Sequence, residues 1–255
     1  MVYITGDCHG NWRRFSSDIF PEQKEMTRND YVIVCGDFGI WHDTPDERWW
    51  LDWLAEKPFT VLFVDGNHEN FDRLCGGKDY PPEFETVDFL GGKAQKIRQN
   101  IYRLMRGYVF TIEGKKFFAF GGARSHDIKD GILDREDFKT NKEFLDTVRA
   151  WNKAEKWFRI NHVSWWKQEM PTKRERDFGD QTLEENGYKV DFIVSHCAPA
   201  SVASHFGYRE TDVLTKWFND VANDTQFRYW FFGHYHHDNS FGKYVMLYEQ
   251  IIRVL

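Results

Sequence analysis

No apolar run in these 255 residues approaches the roughly 18 needed to cross a bilayer. No basic-then-apolar leader opens the chain either, because Val2-Tyr3-Ile4-Thr5 enters a strand at once, so the expected compartment is the cytoplasm and no membrane partner is expected. Cysteine is scarce. Cys8, Cys35, Cys75 and Cys197 form no C-x-x-C pair, which argues against a zinc knuckle or a disulfide framework and for small, reduced, buried thiols. Basic charge is not in excess: 34 Lys and Arg against 40 Asp and Glu leave a net −6. Long nucleic acid therefore has no general electrostatic reason to bind. Internal repeats, low-complexity tracts and linkers are absent too, while 41% hydrophobic and 18% aromatic residues suffice for a core, so one domain over residues 1–255 is expected.

What is present is one device used repeatedly: an apolar run stopped by glycine and polar side chains. Val61-Leu62-Phe63-Val64 reads as a strand covered on both faces, and Asp65-Gly66-Asn67-His68-Glu69 follows at its tip. Val2 to Thr5 runs into Gly6-Asp7-Cys8-His9-Gly10, where an extended backbone would aim Asp7 and His9 the same way. Tyr31 to Cys35 runs into Gly36-Asp37-Phe38-Gly39. A helix is expected over Asn11 to Phe20, and another opens at Thr44-Pro45-Asp46-Glu47 with a Thr cap, Pro at the first helical position and Glu three residues after the cap. On that second helix Trp49, Trp50, Trp53 and Leu54 have the spacing of a core stripe. Strand, helix, strand, helix, strand is the order of parallel βαβ units, which places all three tips on one edge of a sheet, where open α/β folds bind ligands.

Farther on, Tyr108 to Ile112 and Lys116 to Phe120 flank a hairpin turn at Glu113-Gly114-Lys115, and the second strand ends in Gly121-Gly122-Ala123-Arg124-Ser125-His126-Asp127. Residues 129–161 are charged and aromatic, helical through Glu143 to Phe158, and read as an inserted arm or lid. Trp165-Trp166 and a charge run at 173–177, a solvated helix face, come next. Two more apolar runs end at Ser195-His196-Cys197 and at Gly233-His234-Tyr235-His236, and residues 244–248 and 251–255 read as a closing antiparallel pair.

A lone histidine after a strand is ordinarily structural. Five strand ends carrying Asp7 with His9, Asp37, Asn67 with His68, His196, and His234 with His236 are a different matter. Carboxylate, imidazole and amide oxygen are ligands for first-row divalent ions, and seven of them suit two ions better than one.

The order D-x-H, G-D, G-N-H-E, H, G-H-x-H resembles the calcineurin-like metallophosphoesterase superfamily across Asp7 to His236. The resemblance implies an α/β fold, a two-sheet β-sandwich flanked by helices in four layers (α/β/β/α). It implies two divalent metals, manganese foremost with iron, nickel or zinc as alternatives. Asp7, His9 and His236 would hold one ion, Asn67, His196 and His234 the other, with Asp37 bridging them at about 3.5–4 Å. A metal-bridging hydroxide would attack a phosphomonoester or phosphodiester, and His68 would act as general acid on the leaving group. Arg73 and Arg124 are the nearest candidate phosphate clamps. The protein serine/threonine phosphatase branch follows its G-D with Asp-Arg and its G-N-H-E with Arg. Phe38-Gly39-Ile40 and Asn70-Phe71-Asp72-Arg73 stand there instead, against phosphoprotein specificity.

A phosphorylated small molecule or nucleotide is the expected substrate. A nuclease or nucleotide hydrolase, with Trp165 and Trp166 stacking bases, is the alternative enzyme. A non-catalytic interaction module is the alternative outside enzymes; it should lack ligands or the acid histidine, and neither is missing.

Overall fold

Alternation along the strands decides the layering. In a computed structural model describing every residue except Lys78 and Glu210, β1 (Val2–Thr5), β2 (Tyr31–Val34) and β3 (Thr60–Phe63) lie side by side and parallel. Successive side chains of a strand point to opposite faces. Val32 and Val34 accordingly pack with Trp12, Phe15, Leu51 and Leu54, whereas Ile33 packs with Val2, Leu62, Phe117 and Phe231. Both faces need apolar residues, so the runs are continuous.

The first expected helix is only a 3-10 turn over Trp12–Phe15. The Asn11 side chain accepts from the Arg13 amide, Ser16 leaves in an extended conformation, and Arg14 turns back to Thr5. Between β2 and β3, α1 (Pro45–Ala55) starts as its signals predict, with Thr44 accepting from the Glu47 amide. The tryptophan stripe is corrected in part: Leu51 and Leu54 fill the core and Trp50 and Trp53 pack half-buried against it, whereas Trp49 is 58% exposed, and Trp50 meets both Trp49 and Trp53 edge-on. The buried face runs through positions 47, 51, 54 and 55, one step around from the tryptophans.

After α2 (Phe71–Cys75) the chain forms an antiparallel meander that the apolar-run search could not see: β4 (Glu85–Phe89), β5 (Gly92–Arg98) and β6 (Ile101–Leu104). Its edge strand β4 is exposed and polar, and β6 returns parallel to β3. Then β7 (Tyr108–Ile112) and β8 (Lys115–Phe120) make the expected hairpin, with Glu113 and Gly114 both at positive φ as a tight two-residue turn requires.

Residues 129–161 are less helical than expected. They hold β9 (Gly131–Leu133), α3 (Asn141–Lys153) and β10 (Phe158–Ile160), and the two strands pair in parallel. The helix stops early because the backbone turns through Glu155 at φ 50°. Arg159 ion-pairs with Asp127, and His162 Nδ1 lies 2.9 Å from Asp72, tying the segment to the body of the protein.

After α4 (Lys173–Glu185) come β11 (Phe192–Ser195), α5 (Ala200–His205), α6 (Val213–Asp224) and β12 (Tyr229–Phe232). The chain closes through β13 (Asn239–Phe241), β14 (Tyr244–Met246) and β15 (Ile252–Arg253). The expected closing pair is not one: β14 joins β12 in one sheet, while β15 crosses to pair with β1 in the other. The sheets run β15-β1-β2-β3-β6-β5-β4 and β13-β14-β12-β11-β8-β7. Ile4, Phe117, Phe192 and Val194 pack between them, and α4 and α6 cover the second sheet through Leu183, Trp217 and Phe218. Two large sheets flanked by helices is the expected fold. No described helix is long and apolar enough to cross a membrane.

Candidate metal centre

The tips of β1, β2, β3, β11 and β12 meet at one place. Their backbones are laced together first: the amides of Cys8 and His9 donate to the Asp37 carbonyl at 3.0 and 2.7 Å, and the Gly233 amide donates to the His196 carbonyl at 2.9 Å. The glycines permit this closeness. A Cβ on Gly36 would lie 2.2 Å from the His196 ring, one on Gly66 2.0 Å from Asp37 Oδ1, and one on Gly233 2.0 Å from Asp7 Oδ1. Each glycine thus makes room for a side chain from another strand tip.

The extended Asp7-Cys8-His9 expected from sequence is also corrected. His9 sits at φ 49°, Asp37 at 44°, His234 at 69° and His236 at 52°. Left-handed backbone costs a non-glycine residue of order 1 kcal/mol, and four of the seven proposed ligands carry it. The turn at His9 still brings its Nε2 to 3.7 Å from Asp7 Oδ2 and 3.8 Å from Asp37 Oδ2.

The donors form two groups. Coordinating atoms of Asp7, His9 and His236 lie within 4.8 Å of one another, as do those of Asp7, Asp37 and His196. His236 Nε2 is 3.1 Å from Asp7 Oδ2 and 3.0 Å from His9 Nε2, so two ring nitrogens face each other. His196 Nε2 stands 3.3 Å from Asp37 Oδ2 and 3.1 Å from Asn67 Oδ1, while its Nδ1 meets the Cys35 carbonyl at 2.8 Å. Anchoring one ring nitrogen on a carbonyl turns the other toward a ligand. The His234 ring is 4.9 Å from that of His196, and the His234 amide donates to Asp7 Oδ1 at 2.9 Å.

The electrostatics are those of a site short of positive charge. Asp7 and Asp37 are 0% and 1% exposed, and among the described residues neither carboxylate is paired with Lys or Arg, the Arg14 guanidinium binding only the Asp7 backbone carbonyl, at 2.6 Å. Burial alone would raise Asp37, but His196, His68 and His9 outweigh it and hold the carboxyl well below its ordinary range. Burial lowers His196, and the charges of Asp37 and Asp7 reverse this, pushing it up to about 10. His234 is held well below its usual value by burial and then by neighbouring imidazoles. Two buried carboxylates, one imidazole anchored on a carbonyl and ring nitrogens converging at 3.0 Å suit divalent cations, so Asp7, His9, Asp37, His196 and His236 could hold such ions, with Asn67 Oδ1 beside His196 and the His234 ring near it.

His68 lies on the rim. Its amide donates to Asp37 Oδ1 at 2.7 Å, and its ring meets those of His9 and Trp41 edge-on at 5.3 and 5.9 Å. Burial is the main force lowering its pKa. A cleft of about 440 Å³ opens over the cluster, lined by Asp37, Asn67, His68, Arg124, Tyr208 and Arg209 among others. Arg124 is thus beside the donors. Arg73 is not: its guanidinium binds Glu83 at 2.5 and 2.9 Å and also Glu47, holding α1 to the loop after α2.

Sequence reasoning left Glu69 without a role. It is fully buried beneath the Asp37 loop, its carboxylate accepting the amides of Phe38, Gly39 and Ile40 at 2.6, 3.2 and 2.8 Å. Burial pushes its carboxyl up to about 8, against the pull of those amides. Ser125 lies in the glycine-rich loop after the second hairpin strand, where sequence reasoning gave it no role, and nothing in their local sequence distinguishes Glu169, Tyr208 and Arg209. Three cysteines are buried as expected, with burial pushing the Cys8 thiol up to about 12, but Cys75 is exposed.

The family model of the calcineurin-like phosphoesterases matches residues 1–238. The lariat debranching enzyme A of Xenopus laevis is 24% identical over 282 aligned residues, covering 95% of this chain and 45% of that protein. The chain therefore spans less than half the length of that curated relative.

Proposed function

The chain belongs to the calcineurin-like phosphoesterase family, and on that premise we propose that it hydrolyses a phosphoric ester using two divalent cations. Asp7, His9 and His236 would hold one ion, Asn67, His196 and His234 the second, and Asp37 would bridge them. The observation carrying this reading is the pair of buried carboxylates, Asp7 and Asp37, surrounded by imidazoles and lacking any Lys or Arg side-chain partner among the described residues. When bound, divalent ions supply Lewis acidity toward phosphate oxygens and lower the pKa of water near neutrality.

The chain's own residues do the rest. The Cys35 carbonyl lies 2.8 Å from His196 Nδ1 and keeps a proton there, so that the proton lost on metal binding would leave from Nε2 and free it to coordinate. Glu69 grips three successive amides and so fixes the turn that presents Asp37. His68, whose backbone amide donates a hydrogen bond to Asp37 Oδ1, would give a proton to the leaving oxygen, and its lowered pKa makes it the more willing donor once protonated. Arg124, exposed at the cleft wall, is available to a phosphate or to a second charged group beyond it.

Between monoester and diester, the cleft favours a diester. At about 440 Å³ it has room on both sides of a phosphorus, and Tyr208 and Tyr235, 4.3 Å apart, give one wall an aromatic face. The relative's activity on a lariat points the same way. A nucleotide or short nucleic acid diester is the second reading, because such faces stack bases.

The test is hydrolysis of p-nitrophenyl phosphate and bis-p-nitrophenyl phosphate by metal-stripped protein re-supplied with Mn, Ni, Zn or Mg. Activity that returns with metal, manganese first, is the expected result, with the diester turned over faster. Silence toward both esters with two ions bound would overturn the catalytic reading and favour an interaction module.

A further inference from the structure

Asn67 offers two ends of nearly equal size, an oxygen that can coordinate a cation and an NH2 that cannot, and only its hydrogen-bond partners choose between them. Its Nδ2 lies 3.3 Å from Ser125 Oγ, its Oδ1 3.1 Å from His196 Nε2. Ser125 in turn donates its hydroxyl proton to Glu169 Oε2 at 2.6 Å and its amide proton to Glu169 Oε1 at 3.0 Å. All three side chains are buried, Asn67 and Ser125 at 4% exposure and Glu169 at 1%.

We infer that Glu169, acting through Ser125, fixes which end of the Asn67 amide faces the cation cluster. A hydroxyl has one proton, and a carboxylate can only accept. With that proton committed to Glu169, Ser125 presents lone pairs to Asn67, which must answer with its NH2 and turn Oδ1 the other way. Burial keeps water from supplying a substitute partner, so the wrong orientation would leave a buried donor or acceptor unmatched, a cost of roughly 1–3 kcal/mol.

Glu169 can dictate because it is itself held. It ends the 3-10 turn Lys167–Glu169 behind the fully buried Trp166 ring, and Arg106 Nη2 binds the Gln168 and Glu169 carbonyls at 2.9 and 3.3 Å. The Gly-Gly-Ala-Arg-Ser-His-Asp loop and the residues after Trp165-Trp166, two stretches the proposed reaction leaves mostly unused, are thus joined at Asn67. Glu169 is a positioning residue, and the inference rests on the two-cation reading above.

Calorimetric titration of metal-stripped protein with Mn²⁺ at pH 8, above the value of about 7 to which burial raises Glu169, tests it. In Glu169→Gln the new NH2 donates to Ser125 Oγ, the hydroxyl proton swings to Asn67, and the amide is asked to reverse. One of two Mn²⁺ sites should weaken by about 10- to 100-fold, the usual effect of losing a partner behind a ligand, while the other keeps its affinity and the metal-free melting curve shows a folded protein. Activity should return at high Mn²⁺. Ser125→Ala should also weaken that site, and the double variant should be no worse than Ser125→Ala, because Glu169 acts only through the hydroxyl. Wild-type affinity at both sites in Glu169→Gln, equal weakening of both, or additive losses in the double variant would each overturn the inference. Fewer than two Mn²⁺ in the wild type would instead defeat the two-cation reading, and the inference would fall with it.

Discussion

Two buried carboxylate centres lie a few residues apart in this protein and are neutralised in opposite ways. Asp65, fully buried two residues before Asn67, receives Arg103 at 3.0 and 2.8 Å on one oxygen and Arg106 at 2.9 and 2.5 Å on the other. Its charge is balanced permanently by the chain. Asp7 and Asp37, equally buried, accept backbone amides of His234 and His68, but among the described residues their charged side-chain partners are imidazoles, whose charge depends on pH. The first arrangement can only hold structure together, here the tip of β3 against the Gly121 turn, where the Gly122 amide donates to the Asp65 carbonyl at 2.7 Å. The second leaves a deficit that a divalent ion can fill.

Removing one carboxylate from each centre should separate them most sharply. Asp37→Asn should reduce ester hydrolysis to the level of metal-stripped protein and lower the bound metal in elemental analysis, while destabilising the metal-free fold only by the loss of its attraction to His196, less than removal of Asp65 does. Asp65→Asn should do the reverse. Stranding two buried guanidiniums costs about 3–5 kcal/mol, read as an earlier urea midpoint, while metal content per folded molecule stays at two. Equal destabilisation by both substitutions would erase the distinction drawn between the centres.

His68 lies just outside the cation cluster, so its loss should affect chemistry without affecting metal. We expect His68→Ala to slow an ester with a poor leaving group by roughly 100- to 10,000-fold, to slow a p-nitrophenyl ester far less, and to retain both ions. Unchanged turnover of the poor leaving group would remove its assigned role.

The smallest effect is a pH dependence confined to one centre. A histidine raised to about 10 in the folded state, against about 6.5 unfolded, contributes its full stability below pH 6.5 and loses it as pH climbs through 10. Metal-free protein should therefore unfold at lower urea at pH 10 than at pH 6.5. Binding at pH 7 must displace the His196 proton, so calorimetry in buffers of different ionisation enthalpy should detect proton release with the metal. The Asp65 centre, paired with guanidiniums, should add nothing to that slope. In Asp37→Asn, which removes the main charge raising His196, the slope should flatten.

Much of the donor set was legible because its signal is local: each apolar strand is followed at once by glycine and a ligand-type side chain, and parallel strands must bring their tips to one edge. Asp7, His9, Asp37, Asn67, His196 and His236 meet within a few ångströms as that pattern requires. Arg73 shows the limit of such reading. Its position beside the G-N-H-E stretch suggested a phosphate, but Glu47 and Glu83, 26 and 10 residues away, hold it elsewhere. The polar meander β4–β6 escaped notice because edge strands with one wet face lack a continuous apolar run.

The sequence by itself determined which strands are buried on both faces and which chemical groups stand at their ends, because burial and strand termination are properties of neighbouring residues. Only the tertiary structure decided what balances each buried charge. Whether Asp65 meets arginine and Asp37 meets histidine, and whether Glu169 sits behind Ser125 and Asn67, depends on residues 30 to 160 positions apart. Such pairings arise where strand tips and loops far apart in the chain pack together, and no local pattern encodes them.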